Sequence, residues 1–305
     1  MILAAGLTPA WQQMLVFDGL RVGEVNRARE ALWCASGKVL NVGIALHHLG
    51  GPSRTIALIG GPSGDGIESE LDALGVPATF VRSRRATRAC TTVLDRSSGE
   101  TTELVENAGA VEPDELRAFR EAYAGAAPSA RMAVLSGSLP PGAGPSFYRE
   151  LMEASRCRVV LDARGPELRE ALALGPFAVK PNREELGKTV GRELRSDGDL
   201  AGAIEEMHRL GAEWVIVSEG RRALWASGGG RIRRFQPPEV PTVNPIGCGD
   251  CLAAGFAWAV DGGMDPWDAV RFGMGAAAEN ASMLLPSRLD PSKVRSRMGE
   301  VREVT

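Results

Sequence analysis

The sequence has no apolar run close to the roughly 20 residues that a bilayer-spanning helix needs, so none of it reads as a membrane span. It has no basic excess either. A formal net charge of -3 argues against a nucleic-acid partner, which would want a basic face. The start, Met1-Ile2-Leu3-Ala4-Ala5-Gly6, is apolar without a basic segment before it, and reads as a first buried strand rather than a signal peptide. Cysteine is sparse: five residues, odd in number and scattered, as expected for reduced thiols in the cytoplasm. Cys248 and Cys251 form a C-x-x-C, but no second such pair and no H-x-x-x-H accompanies it. His47, His48 and His208 are the only histidines, so a structural zinc site lacks ligands. G-x-G-x-x-G is missing after the first strand, where Gly6 stands alone, and that excludes the dinucleotide fingerprint. No repeat, low-complexity tract or linker divides the chain, so 1–305 is read as one domain.

What remains is ordinary globular material, 44% hydrophobic and 24% charged, arranged as short apolar runs alternating with helical patterns. Runs at 55–59, 131–135, 158–161, 177–180 and 214–217 read as strands. Helices are expected at 66–74, around 147–152 and at 200–210. Continuous rather than alternating apolar strands suit a sheet covered on both faces, and strand–helix–strand succession implies parallel pairing with right-handed crossovers. The expected fold is a doubly wound, mostly parallel α/β sheet with helices on both faces. Its ligands belong beyond the carboxyl ends of the strands. Segments 12–35 and 88–106 break the pattern. They read as hairpin strands without crossover helices, a small β-hairpin lid over the main sheet. A further hairpin is marked by Gly228-Gly229-Gly230.

One stretch organises the rest. Asn244-Pro245-Ile246-Gly247-Cys248-Gly249-Asp250-Cys251 runs straight into a small-residue helix. Gly247 and Gly249 let the backbone fold tightly and aim successive N–H groups at one spot, to which the helix start adds its own unpaired donors. Such a place binds phosphate. Asp250 there is either a helix cap or a base that takes a proton from an attacking hydroxyl. Four loops add polar groups: Ser36-Gly37-Lys38-Val39-Leu40-Asn41, Thr87-Arg88, Ser136-Gly137-Ser138 and Ser218-Glu219-Gly220. The first is no nucleotide P-loop, since no glycine lies five residues before Gly37. Lys180-Pro181-Asn182 leads to Glu185, a spacing that makes a capping box and also places an amide and a carboxylate where they can hold hydrated Mg²⁺. Asn280 interrupts another small-residue helix.

In this order the motifs resemble the ribokinase-like (PfkB) carbohydrate kinases over essentially the whole chain, most closely the phosphosugar branch of 1-phosphofructokinases, tagatose-6-phosphate kinases and minor 6-phosphofructokinases. The resemblance implies an ATP- and Mg²⁺-dependent phosphotransferase acting on a sugar phosphate or related polyol. Its alternatives are a catalytically impaired binding protein on the same scaffold, or a kinase for a free sugar or nucleoside. It implies Asp250 as base, with Gly247, Cys248 and Gly249 forming the anion hole. Gln12, Gly37, Lys38, Asn41, Arg88 and Ser138 would hold the acceptor. Lys180, Asn182, Ser218, Gly220 and Asn280 would lie along ATP, while Glu185 and Asn182 manage Mg²⁺ largely through water. The lid would also be a homodimer interface. Two departures affect the acceptor side: Gln12 stands where the family has an aspartate, and Val39 replaces a glycine and is expected to narrow the sugar's space.

Overall fold

The computed structural model describes residues 1–304. In chain order its strands are β1 (Ile2–Gly6), β2 (Ala10–Phe17), β3 (Glu30–Ser36), β4 (Ser53–Ile59), β5 (Ala78–Arg82), β6 (Ala89–Asp95), β7 (Glu100–Val105), β8 (Met132–Ser136), β9 (Arg158–Asp162), β10 (Ala178–Val179), β11 (Trp214–Val217), β12 (Leu224–Gly228), β13 (Arg231–Gln236) and β14 (Arg302–Val304). The helices are α1 (Lys38–Leu49), α2 (Gly61–Leu74), α3 (Pro113–Ala126), α4 (Phe147–Glu153), α5 (Gly165–Ala171), α6 (Arg183–Val190), α7 (Asp197–Leu210), α8 (Cys248–Asp261), α9 (Pro266–Ala281) and α10 (Pro291–Glu300).

Ten strands form the main sheet in the order β14-β13-β12-β11-β10-β9-β8-β1-β4-β5. From β11 to β5 the pairs are parallel, and the β12–β14 edge is antiparallel. Alternate residues of one strand feed opposite cores: Leu3 and Ala5 pack with Phe119, Tyr123, Phe147 and Ile204, while Ile2 and Ala4 pack with Val42, Phe256 and Phe272. Both faces are therefore covered, which is why the strands are apolar throughout. The expected doubly wound α/β fold is what forms.

The segments expected to form the lid make a second sheet, order β3-β2-β6-β7. Its two hairpins are joined by a parallel β2–β6 pair, in register from Trp11↔Ala89 to Phe17↔Asp95. The hairpin at Gly229 and Gly230 also forms, as β12–β13 on the sheet edge. Helix α2 begins at Gly61, earlier than its expected start at Gly66. The glycines that disguise its first turns are needed for packing, since a Cβ at Gly66 would lie 3.2 Å from the Trp11 ring. Strand β14 is only three residues long and leaves no pattern to read.

Candidate active site

The loop before α8 is shaped by its own side chains. Asn244 accepts the Ile246 N–H at 3.0 Å and donates to the Leu284 carbonyl at 2.8 Å. Gly247 caps the helix with φ +82°, in the left-handed region, and a Cβ there would meet Pro286 at 3.1 Å and the Asn41 amide at 3.3 Å. The Cys248 N–H turns back to the Pro245 carbonyl at 3.3 Å, and the first helical bond is Cys251 N–H to Gly247 at 2.8 Å. The N–H groups of Gly249 and Asp250 between them have no partner among the described residues and point out of the helix end.

Asp250 is buried. Its Oδ2 accepts from Asn41 Nδ2 at 2.7 Å, and Asn41 Oδ1 accepts from Ser36 Oγ at 3.2 Å. Burial, then the negative charge of Asp162, pushes the carboxyl up to about 6, against the pull of Lys38, Asn41 and Lys180. That value suits a proton acceptor working near neutral pH.

Next to it lies a charge cluster. The Lys38 amine stands 3.1 Å from Asp162 Oδ1 and 3.1 Å from Glu185 Oε1. Burial works against its charge, but the two carboxylates prevail and hold the amine protonated well above its usual range. Lys180 reaches the same Asp162 oxygen at 3.3 Å, while Ser136 donates to the other at 3.2 Å. Burial would favour protonated Asp162, yet the two lysines outweigh it and keep the carboxyl below its ordinary value. The Lys180 amine also sits 3.3 Å from where a Cβ on Gly249 would be, so it underlies the turn.

Glu185 serves two partners. One oxygen accepts the Asn182 N–H at 2.9 Å, closing a capping box with Asn182 Oδ1, and the other pairs with Lys38. Neither side chain has an open oxygen aimed at a bare ion, and no cluster of three metal-ligating side chains occurs among the described residues. The pair fits a hydrated Mg²⁺ carried on nucleotide phosphates and touched through water.

Two clefts lie in this region. The larger, about 700 Å³, is bounded by Cys248 and Gly249, by Ser218 and Gly220, and by apolar Leu252 and Met274. The smaller, about 110 Å³, is bounded by Thr8, Lys38, Arg88, Ser138, Arg164 and Glu185. Most of the expected site residues are thus brought together by the ends of β8–β11 and the starts of α1, α6 and α8. Three fall elsewhere. Asn280 is fully buried, its amide bonded to Ile246, Cys248, Cys251 and Ser287, and it holds the turn rather than lining the cleft. Gln12 is buried in the lid, donating to Thr92 Oγ1 at 2.8 Å. Val39 does not narrow the cleft: it is buried in a core with Ala35, Ile44 and Ile59, because α1 begins at Lys38 and turns the next side chain inward. Arg88 lines the small cleft, but its donors go to the Pro9 carbonyl at 3.2 Å and the Thr8 carbonyl at 3.1 Å. Asp162 and Arg164 escaped the sequence reading. Their one signal is position, at the carboxyl end of an apolar strand.

The open helix start, the buried carboxyl of Asp250 beside it and the two clefts agree with the comparisons. The profile of the pfkB family carbohydrate kinases matches residues 14–285. The chain belongs to this family. A 1-phosphofructokinase from Borreliella burgdorferi is 28% identical over 284 residues, 92% of each chain. Escherichia coli phosphofructokinase-2, in a complex with potassium, is 27% identical with a TM-score of 0.88, covering 98% of this chain and 99% of that one. The same protein in complex with fructose-6-phosphate gives 28% and 0.86, with the same coverage. A possible 1-phosphofructokinase from Thermotoga maritima, at 21% identity and TM-score 0.91 over the full length of both chains, shares the fold. The chain is therefore a carbohydrate kinase, a phosphotransferase with a hydroxyl acceptor. No helix among the described residues is long and apolar enough to cross a membrane.

Proposed function

We propose that this kinase moves the γ-phosphoryl group of ATP to a hydroxyl of a sugar phosphate. The observation that carries the proposal is Asp250 itself: a carboxyl held up at about 6, in the first turn of α8 beside an open helix N-terminus whose Cys248 and Gly249 border a large part-apolar cleft. The large cleft suits the nucleotide, with Leu252 and Met274 against the base and Ser218 and Gly220 beside the ribose or phosphates. The small cleft suits the acceptor, with Lys38, Arg88 and Ser138 around it and Gly37 and Asn41 at the adjoining start of α1. Asp250 takes the proton of the attacking hydroxyl, that oxygen bonds to the γ-phosphorus, and the bond to the ADP oxygen breaks. The Gly249 and Asp250 N–H groups, with the Lys180 amine beneath, meet the charge on the transferred group. Mg²⁺, when bound, neutralises nucleotide phosphate charge, and Glu185 with Asn182 order its water.

The relatives' names support a ketose phosphate as acceptor, since the Escherichia coli protein is described with fructose-6-phosphate. The lid leaves Trp33, Leu104 and Val105 exposed, which supports a homodimer through that sheet. A coupled ADP-release assay over fructose 6-phosphate, fructose 1-phosphate and free sugars tests the reading. Turnover of phosphorylated ketoses is expected. Preference for an uncharged sugar or nucleoside overturns the acceptor, and no turnover of any sugar overturns the catalytic role.

A further inference from the structure

We infer that Glu70 and Arg288 are positioning residues: they tie the end of β3 to the turn that opens α8, and so hold that turn in place for the reaction. The inference rests on the catalytic reading of the turn given above. Strand β3 is the outer strand of the second sheet, so the N–H groups on its far side have no neighbouring strand to take them. Ala35 is fully buried there, and a buried N–H needs a partner. Glu70 on α2 supplies it. One carboxylate oxygen accepts the Ala35 N–H, and the other accepts from Nη2 of Arg288, 218 positions further along the chain. The pair is largely shielded, with 16% of the Arg288 side chain and 21% of the Glu70 side chain exposed. The other terminal nitrogen of Arg288 donates to the Pro286 carbonyl at 2.8 Å. One guanidinium therefore fixes its own loop and locks that loop to α2.

The loop so fixed is the wall behind the turn. The Leu284 carbonyl accepts from the Asn244 amide at 2.8 Å. Pro286 packs on Gly247, where an added Cβ would come within 3.1 Å of it. Ser287 has its Oγ 3.4 Å from Cys251 Sγ, and its N–H goes to Asn280, whose amide also holds the Ile246 carbonyl. A second route leaves the same end of β3. Ser36, next to Ala35, donates to Asn41, which donates to Asp250. Neighbouring residues of one strand thus reach the first turn of α8 twice, once at the carboxyl and once behind the glycine cap. With the link through Glu70 cut, the turn is held from β3 through Asn41 alone. A small shift then moves its open N–H groups relative to Lys180 beneath them. Phosphoryl transfer rests on position, and a misplacement of about 1 Å can cost about 10²-fold in rate.

The test compares wild type with Glu70→Gln, Arg288→Gln and Arg288→Lys. Arg131→Gln serves as control, since it cuts the ion pair of Arg131 with Asp261 at the amino end of β8. Each protein is taken through kinetics with fructose 6-phosphate, a melting curve, and amide hydrogen exchange over 30–36 and 244–251. Glu70→Gln can still accept the Ala35 N–H but no longer pairs with the guanidinium. Its kcat should fall about 10- to 100-fold while KM for ATP stays within about twofold, and exchange should quicken over 244–251 but not over 30–36. Arg288→Gln should do the same, and Arg288→Lys, which keeps the charge, should recover part of the lost kcat. Arg131→Gln should leave kcat and the exchange of 244–251 unchanged, whatever its melting temperature. Glu70→Gln and Arg288→Gln that melt early yet keep kcat and slow exchange over 244–251 make the pair a packing contact and overturn the inference. Equal quickening in Arg131→Gln, a general loosening, also overturns it. Exchange keeps this apart from the catalytic reading. In a protein that turns over no sugar, quickening over 244–251 in Glu70→Gln and Arg288→Gln alone upholds the tie, and unchanged exchange overturns it.

Discussion

Asn41 donates to Asp250 at 2.7 Å, joining the first turn of α1 to the glycine-rich start of α8 across 209 positions of sequence. A hydrogen bond to the charged form favours it, so Asn41 draws the carboxyl down while burial and Asp162 push it up. The rate should therefore rise with pH through about 6, as Asp250 loses its proton and becomes able to accept one. In Asn41→Ala that limb should move to higher pH. A pH profile of kcat/KM checks this, and a limb that stays in place means Asn41 does not tune the base.

Asp250→Asn should lower kcat by about 10²- to 10⁴-fold, the usual contribution of a general base. Its effect on stability has a definite sign. The folded-state value of the carboxyl, about 6, lies above the ordinary 3.8, so the stability it contributes is present at low pH and lost as pH rises through 6. A neutral asparagine avoids that loss and can still accept from Asn41. The variant should melt higher than wild type at pH 8, with the advantage shrinking by pH 5. Thermal scans at the two pH values decide it. A variant less stable at both would mean that the carboxylate is held by contacts worth more than its burial costs.

The parts of this site that were legible in the sequence are those in which local chain geometry and chemistry coincide. The turn at Gly247 and the capping box from Asn182 to Glu185 are each read within a few residues, because glycine and cap preferences are local. Asp162 was not legible. It ends an ordinary apolar strand, and what makes it central is Lys38, 124 positions away in sequence. Val39 shows the other limit. A shift of one residue in where α1 begins turns a side chain from the cleft to the core, and boundaries are what sequence fixes least well. Gln12 fails similarly, since strand alternation aims it at Thr92 inside the lid. The doubly wound sheet was readable because both its faces are buried, which writes continuous apolar runs into the chain.

Glu185→Gln should raise the Mg²⁺ concentration required for half-maximal rate, because the carboxylate beside the hydrated ion is neutralised. The capping box survives, since glutamine can still accept the Asn182 N–H. Lys38 keeps Asp162 as a partner, so the melting temperature should fall only slightly. A Mg²⁺ titration and a melting curve on the same preparation separate the two roles. Normal Mg²⁺ dependence with early melting would make Glu185 a helix cap alone.

Asn280 should matter through the turn rather than through the nucleotide. Its Nδ2 donates to the Ile246 carbonyl at 2.8 Å, and its Oδ1 accepts the Ser287 N–H at 2.7 Å. Ser287 is the one residue other than glycine with positive φ among the described residues, at +67°, and it is fully buried. Such a conformation costs on the order of 1–3 kcal/mol and persists only where surroundings impose it. Asn280→Ala leaves a buried N–H and a half-buried carbonyl without partners; the first costs about 1–3 kcal/mol and the second less, so a loss of at least about 1–3 kcal/mol is expected in urea unfolding. The anion-binding turn loosens with it, and kcat should fall more than KM for ATP rises. Adding Ser287→Gly should return part of the lost stability, because glycine adopts that φ at little cost. Unchanged stability in Asn280→Ala, with a raised KM for ATP alone, would instead put this amide in contact with the nucleotide.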